Sequence, residues 1–478
     1  MTAVPLQQQA KMPNRMSQPT AVMVDMPGGV SGFQRLGYIV LVGYLFLIYS
    51  RVFDVKLSFL HIPGISYRIF LAMMLLSRAF LPALKHPIGK GMYFLTACFI
   101  MSIPFSIWRG GSLQVLTGAW MPVFAIFLST SGMLVNFEQT RKAFFTVGYG
   151  LFVLTLIAVV YGSAEESGRL FLPNGKFSNP NEMAQALLMG LPIWFVIFQE
   201  WQAIGKKVAA AGILFLMLLM ISKCGSRGAM ITIIVLVLVM FIRASIMGKM
   251  KIAICGLALV AVIVAFLPGR LIRRYKTMTT EDSEQVASGD DYDPAMATSA
   301  VTSAQARRDL LKRSIKYSLQ HPLFGVGPGN FPVAEDADMK SQGFRKGTWQ
   351  GTHNSYTQMS SEVGIPAALA YIYVIFVSFG RTSKLYRRTK DDPRLSSIAN
   401  CALGINYCML VYAVSVFFDY IAYTSMLSVF AGFAMALDLS AQTEIDRRTA
   451  KPAAPPPIPY TEFRTNWRSR HVGAIQGA

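Results

Sequence analysis

Apolar runs of about 15 to 22 residues recur along this chain between short polar breaks, and each approaches the roughly 20-residue helix that crosses a 30 Å hydrocarbon core. Reading the runs against their breakers predicts spans at 36–50, 65–83, 91–108, 113–135, 142–162, 183–199, 207–222, 228–243, 251–268, 361–380, 395–418 and 420–440. The pattern is that of an all-α polytopic membrane protein with about twelve transmembrane helices and one large loop carrying short helices. The weakest run is 65–83, which holds Arg68 and Arg78. A single acid, Asp419, breaks the last two runs, which form either one long bent helix or a tight hairpin.

Composition supports lipid as the main solvent. The 478 residues are 53% hydrophobic and 15% charged, against roughly 25% charged in a soluble protein; the mean hydropathy is +0.42. The net charge of +20 would suit nucleic acid, but Lys and Arg cluster between apolar runs, where topology accounts for them, so no nucleic-acid partner is expected. The five cysteines, Cys98, Cys224, Cys255, Cys401 and Cys408, have no CxxC spacing and mostly lie in or beside apolar runs. No His, Cys, Asp or Glu set has metal-ligand spacing, so neither metal nor cofactor is expected.

Charge asymmetry sets the orientation. One set of loops holds Lys85 and Lys90, Arg141 and Lys142, Lys206 and Lys207, Arg243, Lys249 and Lys251, and the dense group Arg381, Lys384, Arg387, Arg388, Lys390 and Arg394. These loops and both termini are expected on the cytoplasmic side. The chain then divides into a polar, disordered N-terminal tail (1–35), nine spans (36–268), a large external loop (269–360), three spans (361–440) and a disordered basic tail (441–478) with Pro452, Pro455, Pro456 and Pro457. The loop contains an acidic stretch from Glu281 to Asp293, then an amphipathic helix over Ala304 to Gln320 ended by Pro322 and Gly325.

Four unusual residues fall on the external side: Arg169 after the fifth span, Arg227 at the mouth of the eighth, and Arg307 and His353 in the long loop. Arg227 lies in the turn Lys223-Cys224-Gly225-Ser226-Arg227-Gly228, against the local charge bias, and its planar fork of donors suits phosphate or diphosphate oxygens; a snorkelling interfacial arginine is the alternative. Arg169 faces either a ligand or Glu165 and Glu166. Asn179 and Asn181 flank Pro180, and the pattern predicts that Asn181 caps the following helix. Three alternating glycines in His321–Phe331 follow a helix rather than a strand, which excludes a dinucleotide fingerprint and points to a sharp backbone re-entry. A helix through His353 would put His353, Tyr356 and Thr357 on one face. The imidazole would then be a general base for a hydroxyl nucleophile, with a local cap as the plainer reading. Glu362 lies further down the same segment.

At these residues the sequence resembles the O-antigen ligase family, which includes polysaccharide polymerase-like integral membrane glycosyltransferases. The matching pieces are Gly175 to Asn181, Ser226-Arg227-Gly228, Arg307 followed by His321-Pro322-Leu323-Phe324-Gly325-Val326-Gly327, His353-Asn354 and Glu362-Val363-Gly364. The resemblance implies a GT-C-like fold in the bacterial inner membrane, with the active site facing the periplasm. It also implies an undecaprenyl-diphosphate-linked glycan donor and a sugar-hydroxyl acceptor such as lipid A core, or repeat-unit polymerisation into O-antigen or exopolysaccharide. Carried onto this chain, Arg227 and Arg307 grip the diphosphate and His353 is the metal-independent base of an inverting transfer; Arg169, Arg308, Tyr356 and Asn181 are further candidates for substrate binding. A polysaccharide or lipid-linked sugar transporter would also have about twelve spans, but needs ionisable groups near the midplane; only Arg68 and Arg78 suit it.

Overall fold

The computed structural model describes residues 32–55, 60–165, 167–173, 178–276 and 294–450. Among these, ten helices are long and apolar enough to cross a membrane: Gly32–Ser50, Pro87–Phe105, Arg109–Met133, Phe137–Tyr161, Pro180–Glu200, Ile204–Lys223, Ile246–Phe266, Ile365–Thr389, Pro393–Ser415 and Ser425–Thr449. Two shorter helices, Ile62–Leu76 and Arg227–Arg243, take the remaining places in the pattern. The chain is an all-α multi-pass membrane protein; its strands among the described residues are the pair Ser163–Ala164 and Leu170–Phe171. The last two spans and Pro180–Glu200 are mostly buried in the bundle, whereas Ile246–Phe266 lies at its rim with its apolar side chains outward, as a lipid-facing helix should.

The second run ends earlier than its hydropathy suggests. Ser77 donates its hydroxyl to the Met73 carbonyl at 2.7 Å, and Arg78 adopts a left-handed backbone (φ 54°), so the helix stops at Leu76 and Arg78 lies past its end. Asp419 marks a hairpin: Ser396–Ser415 and Ser425–Thr449 are separate helices joined through 416–424. The last helix runs to Thr449, nine residues beyond the predicted span, because Glu444 pairs with Arg447 and Arg448 and sustains helix outside the apolar stretch. The tails at 1–31 and 451–478 and the acidic stretch at 281–293 lie outside the described residues. The loop helix is longer than predicted, Pro294–Gln320.

The re-entrant glycine segment is built as a backbone splice. The Val326 and Gly327 N–H groups donate to the carbonyls of Ser361 and Glu362, each at 2.8 Å, and Ile365 N–H donates to Pro322 at 2.8 Å. The segment also enters the break between the third and fourth spans, where the buried Asn330 amide donates to Ser106 Oγ (2.7 Å), Ser112 Oγ (3.0 Å) and the Trp108 carbonyl (3.2 Å). The close approach explains the glycine. Gly325 has φ +63°, and a Cβ there would lie 2.3 Å from the Glu362 carbonyl carbon. Gly325→Ala should therefore lower the unfolding midpoint in detergent, the backbone strain alone costing roughly 1–3 kcal/mol. Gly205→Ala, with open space around it, should leave the midpoint unchanged.

Candidate functional site

Four loops meet at one end of the bundle, and each delivers one unusual side chain. The first is the hairpin of Ser163–Ala164 and Leu170–Phe171, which presents Arg169. Arg169 Nε donates to the Cys224 carbonyl (3.0 Å) and Nη2 to Asn181 Oδ1 (2.8 Å), while Glu165 lies near enough for charge attraction. This corrects the expected cap. Asn179, with its Oδ1 accepting from Asn181 N–H at 2.9 Å, closes the N-terminus of Pro180–Glu200, which leaves the Asn181 side chain for Arg169.

The second loop is the turn after Lys223. Gly225 (φ +62°) packs against Arg169, and Ser226 caps the helix that Arg227 begins. A Cβ on Gly228 would lie 2.5 Å from Phe418, so the start of this helix sits directly on the 416–424 turn. Arg227 has no hydrogen bond or ion pair to any described residue; its charge is felt by that of Arg307.

The third contribution comes from the loop helix Pro294–Gln320. Positions 307, 310, 314 and 318 share one helical face, and Leu310, Ser314 and Ser318 are buried there, with Ser318 Oγ 2.7 Å from Ser360 Oγ. That inward face carries Arg307 into the site, while Arg308, one step round the helix, is exposed. Arg307 also lacks any hydrogen bond or ion pair to a described residue; at longer range it is attracted by Asp419 and repelled by Arg169.

The fourth loop holds His353. The helix expected to carry it starts two residues later: Asn354 is the cap, its Oδ1 accepting from Tyr356 and Thr357 N–H, so the face predicted for His353, Tyr356 and Thr357 does not form. Capping competes with helix at this position because an Asn side chain satisfies two first-turn donors at once. His353 itself is left-handed (φ 51°) and stands edge-on to the Tyr420 ring at 5.3 Å. Its Nδ1 is buried without a partner among the described residues. Burial, then the charge of Arg307, lowers its pKa from 6.5 to about 4, so the ring is neutral at physiological pH. Tyr356 turns the other way, donating to the Ala413 carbonyl (2.8 Å) and packing on Phe417, which anchors the helix in the bundle.

Asp419 was legible only as a break between apolar runs, yet it belongs to this cluster. Ser355 stitches its turn to the His353 loop: Ser355 N–H donates to Val416 O (2.9 Å), its hydroxyl to Asp419 O (2.8 Å), and it accepts from Ile421 N–H (2.9 Å). The Asp419 carboxyl is buried, with Oδ1 accepting from Tyr420 N–H and Oδ2 unpartnered among the described residues. Burial raises its pKa to about 6, partly offset by the Tyr420 N–H and Arg307. Glu362 is a fastener rather than a member of the cluster. Buried and raised to about 7 by desolvation, it accepts from the Tyr423 hydroxyl and from Gly329 N–H, tying the glycine segment to the 416–424 connection.

The result is a set of three mutually repelling arginines, one neutral imidazole and one buried carboxyl. Two of the arginines have no partner among the described residues. Such an arrangement is unfavourable empty and is relieved by a polyanion. Among the described residues no group of three or more His, Cys, Asp or Glu side chains comes together as a metal-binding set.

No curated protein matches the chain. Residues 212–372 match the family model described as O-antigen ligase, a stretch that includes Arg227, Arg307, His353 and Glu362 but ends before Asp419. The chain is therefore a multi-pass membrane protein whose residues 212–372 are similar to the O-antigen ligase family.

Proposed function

We propose that this protein transfers a glycan from an undecaprenyl-diphosphate donor to a sugar hydroxyl of lipid A core, at the periplasmic face of the bacterial inner membrane, with both termini in the cytoplasm. The observation that carries the reading is the pair Arg227 and Arg307, two half-buried guanidinium groups that repel one another beside a neutral imidazole. Arg227 and Arg307 hold the diphosphate, and Arg169, fixed by Cys224 and Asn181, adds positive potential from behind. His353 takes the proton of the acceptor hydroxyl as its oxygen bonds to the anomeric carbon. The bond from that carbon to the diphosphate oxygen breaks, its electron pair leaving on the lipid diphosphate, whose growing charge the arginines stabilise. One displacement inverts the anomeric centre. The polyprenyl chain lies along the lipid-facing spans, which is the physical reason for placing this chemistry in a membrane bundle.

A transporter needs ionisable groups at mid-depth on broken helices. Arg68 is exposed on the short second helix and Arg78 lies beyond its end, so neither supplies such a site. The decisive experiment reconstitutes the protein in lipid nanodiscs with a radiolabelled lipid-linked glycan and, separately, lipid A core or a second lipid-linked repeat. Label on the core is the expected result. A glycan ladder with no core product would assign repeat-unit polymerisation instead, and absence of transfer to either acceptor would overturn the proposal.

A further inference from the structure

Four residues before His353 the chain presents an indole that the transfer mechanism does not use. Trp349 is 58% exposed and left-handed, with φ 56°. A bulky residue in that region is a genuine outlier and persists only where its surroundings hold it. Here two acids of the helix Phe331–Ser341 do so. Glu335, fully buried and paired with Arg313, accepts from Thr348 N–H at 2.8 Å. Asp336, also buried and paired with Lys340, accepts from Gly347 N–H at 2.7 Å and from the Trp349 indole N–H. Gly347 is required for this cradle, since a Cβ there would lie 2.2 Å from Glu335 Oε2. Downstream, Gly351 lies against the Tyr420 ring that also supports His353. The segment is therefore fixed at both ends.

The consequence is an indole whose polar edge is occupied while no ring or cation of the described residues stacks on its face. Its exposed neighbours Arg345, Lys346, Thr348 and Gln350 are polar, a rim that suits a hydroxylated ligand better than acyl chains. A rigid aromatic surface with a few polar groups around it is the usual form of a small-molecule subsite. Four residues of chain span at most about 14 Å, so this surface lies within reach of a glycan reacting at His353. We propose that Trp349 is a sugar-stacking platform, binding the apolar face of a pyranose ring in the glycan that reacts at His353. The inference rests on the glycan-transfer reading for its substrate class, and the ring belongs to either the donor or the acceptor.

The test compares wild type, Trp349→Ala and Trp349→Phe in nanodiscs, measuring KM separately for donor and acceptor, and binding of the free oligosaccharide released from the donor, which lacks diphosphate and lipid. Trp349→Ala should raise KM for one glycan about tenfold, equivalent to about 1.4 kcal/mol, and weaken oligosaccharide binding to a similar extent. Trp349→Phe should recover most of both. Which KM moves identifies the glycan. Unchanged KM values in an active Trp349→Ala enzyme would overturn the platform and leave the transfer reading intact. If wild type shows no transfer, oligosaccharide binding decides alone: loss in Trp349→Ala supports the platform without the reaction, and equal or absent binding overturns it. Quenching of Trp349 by bromine-labelled acyl chains would make it a membrane anchor and also overturn the proposal.

Discussion

Replacing Arg307 by alanine is expected to lower kcat/KM for glycan transfer by about 10²- to 10³-fold, the range for removing one preorganised charge-stabilising donor. Its position explains why the effect should exceed that of any neighbouring cation. The Arg307 charge acts on Arg227, on Asp419 and on His353, whereas the adjacent Arg308 is exposed on another face of the same helix. Because charge on the leaving diphosphate grows as the glycosidic bond breaks, kcat should fall as well as donor affinity. Arg307→Lys should recover part of the loss, keeping the charge but not the two-pronged geometry, and Arg308→Ala should lose far less than Arg307→Ala. Steady-state kinetics with the lipid-linked donor check the series. Wild-type kinetics in Arg307→Ala would remove the diphosphate grip.

The parts of this protein readable from sequence are those that one physical signal controls. Apolar run length and the transfer energy of a helix into lipid gave the spans, and the loop helix was legible as amphipathic, but which of Arg307 and Arg308 turns inward was not, because that depends on Leu310, Ser314 and Ser318 packing into the bundle. What was not readable depended on competition between local signals or on contacts distant in sequence. The second span ended at Leu76 because the Ser77 hydroxyl and a left-handed Arg78 outweighed continuing hydrophobicity. Asn354 took the capping role and so expelled His353 from the helix, while Asn179 rather than Asn181 capped the sixth span. Asp419 looked like a topological defect. Its membership of the site comes from Ser355, 64 residues away in the chain, and from Gly228 packing on Phe418, neither of which periodicity can reveal. One signal was available: a lone acid inside a strongly apolar run is costly there and invites a functional reading.

The His353→Ala variant should lose about 10²- to 10⁴-fold in kcat, the range for a general base, but its pH behaviour is the sharper test of how the site works. In the unliganded protein, burial and Arg307 hold the imidazole at about 4, so it is neutral, but a weak base. The acid limb of kcat/KM, which reports the free enzyme, should therefore lie well below pH 6. In the proposed complex, donor binding places diphosphate charge beside Arg307. Negative charge favours the imidazolium, so the His353 pKa must rise in the complex, and the acid limb of kcat should lie at higher pH than that of kcat/KM. The empty site thus keeps the base weak, and the substrate that needs it strengthens it. Asp419, at about 6, titrates in the same window, and so the comparison is best made in Asp419→Asn, where the separation of the two limbs should persist. In Arg307→Ala the loss of the positive neighbour should itself raise the free-enzyme limb and narrow the separation. Coincident limbs in the parent enzyme would mean that the diphosphate does not bind next to this imidazole, and that another group takes the acceptor proton.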